Sequence, residues 1–190
     1  MNIFFLDNCT VSCAQQHVDK HVVKMILEYA QLLSTAHRLL DGKEYLDKTA
    51  NGRNIKRWKL DNSKLESMLF KASHINHPSA KWARESKANY RWLASLLLEL
   101  CAEYTYRYGK VHSVERSGLA MMLRNTYPNN FPNLTRGEPR RTDPPPAMPE
   151  ECKVPGDAIA SYRKYYIEKK ASFANWKKRE VPEWFSMITT

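Results

Sequence analysis

Eight polar residues between Ala14 and Leu40 fall on one stripe of a helix: His17, Lys20, His21, Lys24, Glu28, Gln31, Thr35 and Arg38. At about 100° per residue they all lie within roughly 60° of one line. Val18, Val22, Met25, Ile26, Tyr29, Ala30, Leu32 and Leu33 fill the remaining circumference. A surface helix ordinarily spreads its charges over a broad wet face. This wet face is narrow and rich in titratable groups, which is the composition of an active-site wall. Histidine and lysine three or four residues apart lower each other's basicity by charge repulsion, one route to a neutral base or an amine nucleophile near pH 7. The catalytic candidates are therefore Lys24, Glu28, His17 and His21. The plainer alternative is an amphipathic helix with a solvated polar face.

The elements that must position this stripe follow from patterning. Met1–Leu6 is apolar and short, lacks a basic lead-in and runs into Asp7 and Asn8, so it reads as a buried strand or extended arm, not a secretory signal. The first helix stops near Asp41-Gly42. Lys43–Leu60 is polar and basic with an Asn51-Gly52 turn signal, and it reads as a DNA-facing loop carrying Arg53, Lys56 and Arg57. After a break at His74–Ser79, Pro78 opens a second long helix that runs to about Tyr108 and stops at Gly109. Val114–Arg124 is a shorter third helix. Most of the prolines cluster in Pro128–Pro155, an irregular loop that also carries Arg136, Arg140 and Arg141. Asp157 then caps a basic helix running to Arg179. The expected fold is mainly α: a compact single domain over 1–190 with two long core helices, a short extended N-terminal segment, a Pro-rich loop and a basic C-terminal helix.

Charge narrows the function class. Thirty Lys and Arg against twenty Asp and Glu give +10, interleaved with five Trp and ten Tyr. Cations that neutralise phosphates, combined with rings that stack or wedge, are the physical recipe for nucleic-acid binding. No basic helix has the continuous apolar face of a membrane binder, and no apolar run approaches a bilayer span. The DNA-binding candidates are Lys20, Arg38, Arg53, Lys56, Arg57, Arg140, Arg141, Arg163, Lys164, Lys170, Lys177, Lys178 and Trp184. Cys9, Cys13, Cys101 and Cys152 show no disulfide framework and are expected as reduced thiols. Cys9, Cys13, His17 and His21 recur every four residues, but four such side chains on one helix cannot surround a tetrahedral ion, so no metal is expected. The chain lacks a P-loop and a dinucleotide-binding glycine motif, and no cofactor is expected.

The order of these pieces resembles the small pyrimidine-dimer DNA glycosylases, the endonuclease V family of phages and some bacteria. Ala14-Gln15-Gln16-His17 resembles that family's opening of its first helix, which likewise runs on to an Arg and a Gly-Lys pair, here Arg38 and Gly42-Lys43. His77 precedes a long helix ending in Glu103, Arg107 and Gly109, and Pro182-x-Trp184-Phe185 resembles the family's Pro-x-Trp-Tyr. The resemblance implies an all-helical domain with an extended N-terminus between helices. It also implies an α-amino group that attacks the sugar C1′ of a damaged pyrimidine nucleotide, giving an imine that undergoes β-elimination, with a first-helix Glu supporting ring opening. An α-amine has a reference pKa near 8, so it needs little help to act as a nucleophile. Basic residues would bind phosphates and kink the duplex while the opposite base is flipped away.

Two positions depart from the family pattern. Ungapped alignment from His17 puts Lys24 where the family has its essential carboxylate, with Glu28 one turn further on. Asn2 is too large for efficient removal of Met1, so the terminal amine belongs to Met1. Three functions follow as expectations. The first is a DNA glycosylase with abasic-site lyase activity, using an amine from Lys24 or Met1 with Glu28 moving protons and His17 and His21 positioning the sugar. The second is an enzyme that modifies a pyrimidine base in phage-type DNA, with His17 or His21 as general base. The third is a non-catalytic DNA-binding protein. All three place the chain on double-stranded DNA as a monomer, in the cytoplasm of a bacterial or phage-infected cell.

Overall fold

A computed structural model describes residues 1–132 and 140–186. Helices dominate it, and the buried apolar side chains of the N-terminal arm and of the main helices form one cluster. Helix α1 (Thr10–Gln16) and helix α2 (Asp19–Asp41) occupy the segment whose periodicity predicts one helix. The chain breaks between them because His17 and Val18 are extended, at ψ 133° and 153°. Side chains from elsewhere take up the carbonyls freed at this break. Arg107 donates to Gln15 O and His17 O at 2.8 and 2.9 Å, and Trp176 Nε1 donates to Gln16 O at 2.8 Å. Orphan carbonyls at a helix end must find such partners.

The basic segment after α2 is a hairpin, not a loop. Strands β1 (Lys43–Lys48) and β2 (Asn54–Lys59) pair antiparallel, with Lys43 opposite Lys59, and Gly52 takes φ 77° in the turn between them. Helix α3 (Ser63–Met68) follows. The second long helix of the sequence pattern is two helices, α4 (Pro78–Glu85) and α5 (Lys87–Tyr108). Ser86, extended at φ −148° and ψ 155°, separates them and caps α5 by accepting from Asn89 N–H. Helix α2 packs along α5 and against α4, and Thr35 of its polar stripe bonds Ser73 in the segment leading to α4.

Gly118, at φ 79°, divides the third helix into α6 (Ser113–Arg116) and α7 (Leu119–Asn125). The described parts of the Pro-rich stretch are tied down at three points. Asp41 accepts from the amides of Asn129 and Asn130, Asn89 holds Thr142, and Tyr162 donates to Pro145 O at 2.8 Å. Arg136 lies outside the described residues. Helix α8 (Ala158–Lys170) begins at the Asp157 cap and ends earlier than the charge pattern suggests, in a short turn over Ala171–Phe173. Helix α9 (Glu183–Ser186) carries Trp184.

Candidate active site

The site begins with the N-terminal arm. Ile3, Phe4, Phe5 and Leu6 are buried, and the arm's main-chain groups are held by side chains instead of by a sheet. Phe4 N–H donates to the Tyr29 hydroxyl at 3.0 Å, Cys13 Sγ donates to Phe4 O at 3.3 Å, and Arg163 donates to Leu6 O at 2.9 Å. Tyr29 is itself fixed. His17 Nδ1 donates to Cys13 O at 2.7 Å, which leaves Nε2 to accept from the Tyr29 hydroxyl at 3.4 Å. His17, Tyr29 and Phe4 thus form a buried relay that sets where the arm ends.

The arm ends at a carboxylate with two amines on it. The α-nitrogen of Met1 lies 3.8 Å from Glu28 Oε2, and Lys24 Nζ lies 3.2 Å from Glu28 Oε1. The Glu28 side chain is only 14% exposed, whereas that of Lys24 is 67% exposed. The Met1 side chain is 5% exposed while the residue as a whole is half-buried, so the accessible part of Met1 is its main-chain end. The site therefore presents one amine fixed by a buried arm, one exposed amine on a long stem, and a nearly buried carboxylate between them.

Two histidines absent from the sequence-based candidates border this group. Burial holds the His77 imidazole below its ordinary value, helped by the charge of the α-amine and by His74 and opposed by Glu28. His77 caps α4 by accepting from Ser79 N–H at Nδ1, so its neutral ring carries the proton on Nε2. His74 is exposed and takes φ 49°, a left-handed conformation that non-glycine residues seldom adopt. The sequence pattern marks His74–Ser79 as a break between helices, and the family resemblance places His77 before the second long helix without assigning it a role. The available signal was local: two histidines three residues apart beside a helix-opening proline.

The structure corrects three of the stripe's assignments. His17 is fully buried, and His21 is 7% exposed, stacked 4.1 Å from the Phe4 ring and hydrogen-bonded to the Tyr166 hydroxyl at 2.7 Å. Burial pushes His17 down to about 4 and His21 down to about 3, the latter helped by His17, Lys170 and Lys24. Both nitrogens of His17 are engaged inside the fold, and His21 is held against Phe4 and Tyr166, so the two rings serve the packing of the arm. Arg38 is 4% exposed and donates to Phe70 O, Trp58 O, Leu69 O and both the main chain and the carboxylate of Glu66. It is the strut that joins α2 to the hairpin and α3, not a phosphate contact. Only Lys24, Glu28 and Met1 of the catalytic candidates meet.

The remaining cations divide by what they touch. Arg53 is exposed at the hairpin turn, Lys56 pairs with Glu44 at 2.8 Å, and half-buried Arg57 lies 4.0 Å from Asp47. Arg140 is exposed. Arg141 donates to Asn8 Oδ1 at 2.7 Å with its guanidinium over Phe5 and Trp92, which makes it a brace for the arm. Arg163 also braces the arm, through Leu6, and lies 5.5 Å from the Trp184 ring centroid. Trp184 donates to Gln16 Oε1 at 2.7 Å, and Lys164 pairs with Glu168 at 3.7 Å. Lys177 lies over Tyr108, while Lys178 donates to Tyr106 O. Lys20 and Lys170 sit on aromatic rings near the amine group.

The Cys13 thiol donates to Phe4 O while the His17 and His21 rings bond Cys13 O and the Tyr166 hydroxyl, and among the described residues no group of three or more metal-ligating side chains converges. Among the described residues no helix is long and apolar enough to cross a membrane. No family model, curated protein or solved structure matches the chain.

Proposed function

We propose that the chain acts on DNA through an amine nucleophile, as a glycosylase with abasic-site lyase activity or as the lyase alone. The observation that carries this reading is Glu28, whose two oxygens face the Met1 α-amine and Lys24 Nζ at 3.8 and 3.2 Å. Amine attack on a sugar C1′ requires a neutral nitrogen, a nearby group to take its proton, and a second group to deliver a proton as the ring opens. A carboxylate between two amines can do the first transfer and return the proton in the second.

In the proposed sequence the Met1 nitrogen forms the bond to C1′ as the base leaves with the bonding pair and takes a proton from water; at an abasic site it adds instead to the C1′ carbonyl of the ring-opened sugar, whose oxygen departs as water. The amine proton passes to Glu28, which protonates the sugar ring oxygen as the imine forms. Glu28, again a carboxylate after that transfer, accepts the C2′ proton as β-elimination expels the 3′ phosphate with the C3′–O bonding pair, and water hydrolyses the imine to release the amine. Lys24 pairs with Glu28 or substitutes as the amine. This arrangement supports the resemblance to the pyrimidine-dimer glycosylases in one respect. The carboxylate that Lys24 displaces in the linear alignment is supplied one turn later, where the amine ends.

Reduction of the imine by borohydride tests the reading. Wild-type protein with abasic duplex DNA should give a covalent adduct, and Glu28→Gln should lower its rate at least about 100-fold, the usual worth of a positioned acid–base group. No adduct under saturating DNA sinks the proposal.

A second reading gains from the burial of His17 and His21, since with those rings committed to the fold, DNA binding without chemistry has fewer unexplained groups. It needs no amine at Glu28. Unchanged DNA affinity in Lys24→Ala and Glu28→Ala, with no adduct in the wild type, selects it.

A further inference from the structure

Near the amine group, two ammonium ions converge on a single ring. Lys20 Nζ lies 4.6 Å and Lys170 Nζ 5.9 Å from the centroid of Phe173, and Lys170 Nζ also lies 4.7 Å from the centroid of Tyr165. The rings are anchored from below. Phe173 meets His21 edge-on at 5.9 Å, His21 stacks on Phe4 at 4.1 Å, and Tyr165 lies nearly parallel to Phe4 at 6.3 Å. Phe173 and Tyr165 are half-buried.

The neighbouring acids are engaged elsewhere. Asp19 accepts from Arg107, Asn175 and the Lys177 main chain, and Glu28 faces Lys24 and Met1. Glu168 takes Lys164 and Cys152, while Glu151 takes Lys169. Among the described residues neither Lys20 nor Lys170 has a carboxylate partner. One ring attracts a cation to its face, but a second cation at the same ring repels the first. An anion between or beside them removes the conflict.

The location indicates which anion. Lys20, Lys24 and Glu28 are spaced by four on one face of α2, about 6 Å apart along the axis from one to the next. The ammonium ions stand on half-buried rings in an open setting, a poor trap for a free ion. Such a pair acts as one contact among several along a polyanion. We infer that Phe173 gathers Lys20 and Lys170 into a clamp for a backbone phosphate of the DNA strand whose sugar meets the Glu28 amines, an inference that rests on the proposed function. The ring orders the two stems before DNA arrives, so less freedom is lost on binding.

Fluorescence anisotropy with a duplex carrying a tetrahydrofuran abasic analogue, repeated across salt concentrations, tests the clamp. Lys20→Ala/Lys170→Ala should weaken binding about 10-fold or more and lower the slope of log K against log salt by about 1, the value for one lost phosphate contact, whereas a fall of about 2 would assign the lysines to separate phosphates and overturn the clamp. Phe173→Leu, which leaves charge unchanged, should weaken binding about 3- to 10-fold at equal thermal stability. Affinity and slope unchanged in the double lysine variant overturn the clamp, and so does a silent Phe173→Leu beside sensitive lysines, which would make them unordered surface charges. Inorganic phosphate at millimolar concentration should displace DNA no better than chloride of equal ionic strength. Saturable displacement that vanishes in the double variant would assign the site to free phosphate and overturn the strand assignment. Borohydride trapping separates the two proposals. Clamp-dependent binding without any adduct leaves the clamp and removes the amine chemistry, whereas an adduct formed at unchanged half-saturating DNA by the double variant does the reverse.

Discussion

Lowering the pH from 7.5 to 5 should destabilise this fold by about 6 kcal/mol, because three histidines are buried neutral. Burial is the largest cause in each case, and it holds His17 and His37 at about 4 and His21 at about 3, against an ordinary value of 6.5. Below pH 6.5 the unfolded chain binds a proton at each site and the folded chain does not, so stability falls with falling pH. It continues to fall until the folded values are reached, between about 4 and 3. Each unit of separation is worth about 1.4 kcal/mol, which gives about 2 kcal/mol per histidine at pH 5. His77 and His112, also held low by burial but less enclosed, add in the same direction. The carboxyls of Asp7, Glu66 and Glu103 lie below their ordinary values because their hydrogen bonds and cations outweigh burial; their contribution is lost only at more acid pH. Against a usual total of about 5–15 kcal/mol, the histidine effect is enough to bring the protein near unfolding. Urea titrations at pH 7.5, 6 and 5, at fixed ionic strength, measure it directly. His37→Gln should remove about a third of the pH dependence. A stability that stays flat between pH 7.5 and 5 would refute the burial of these rings as neutral groups.

Other perturbations probe the framework of the site. Arg107→Met removes a fully buried guanidinium that joins Glu103, Asp19 and the broken end of α1, leaving the carboxylates exposed to each other's charge. Chemical denaturation should show a loss of about 3–5 kcal/mol, the usual result of breaking a buried pair from one side. Tyr29→Phe leaves Phe4 N–H without its acceptor and should cost about 1–3 kcal/mol. It should also speed hydrogen exchange at Phe4 and lower adduct yield through a loosened arm; unchanged exchange would show that Tyr29 does not position it. Gly42→Ala would place a Cβ 2.4 Å from Arg38 O and 3.0 Å from Trp58 Cβ, so the junction of α2 and the hairpin must shift. A midpoint fall of several degrees is expected in thermal melts, and none would contradict that packing.

The polar stripe was legible from periodicity, and so was its meeting of Lys24 with Glu28, since a helix puts residues four apart side by side. The burial of His17 and His21 was not. Their partners, Phe4 and Tyr166, lie far along the chain or outside the helix, and a helical wheel records only which face a residue occupies. Arg38 was hidden for the same reason, since its carbonyl partners come from the hairpin and the segment around α3. The hairpin carried a readable turn at Asn51-Gly52, yet β1 is exposed at nearly every position, so it lacks the alternation that marks a half-buried strand. The break at Ser86 had a signal in its capping serine, which the continuous apolar pattern of the flanking helices masked. His74 and His77 join the site through a loop, where spacing carries no geometric information.

The most direct test of the amine assignment is mass mapping of the borohydride-trapped adduct on abasic DNA. The expected result is a reduced sugar adduct on the α-nitrogen of Met1, lost when the terminus is extended or acetylated and slowed by Glu28→Gln. Attachment at Lys24 would transfer the nucleophile to the other amine on Glu28, and an adduct at a residue remote from Glu28, or none at all, would contradict the central claim.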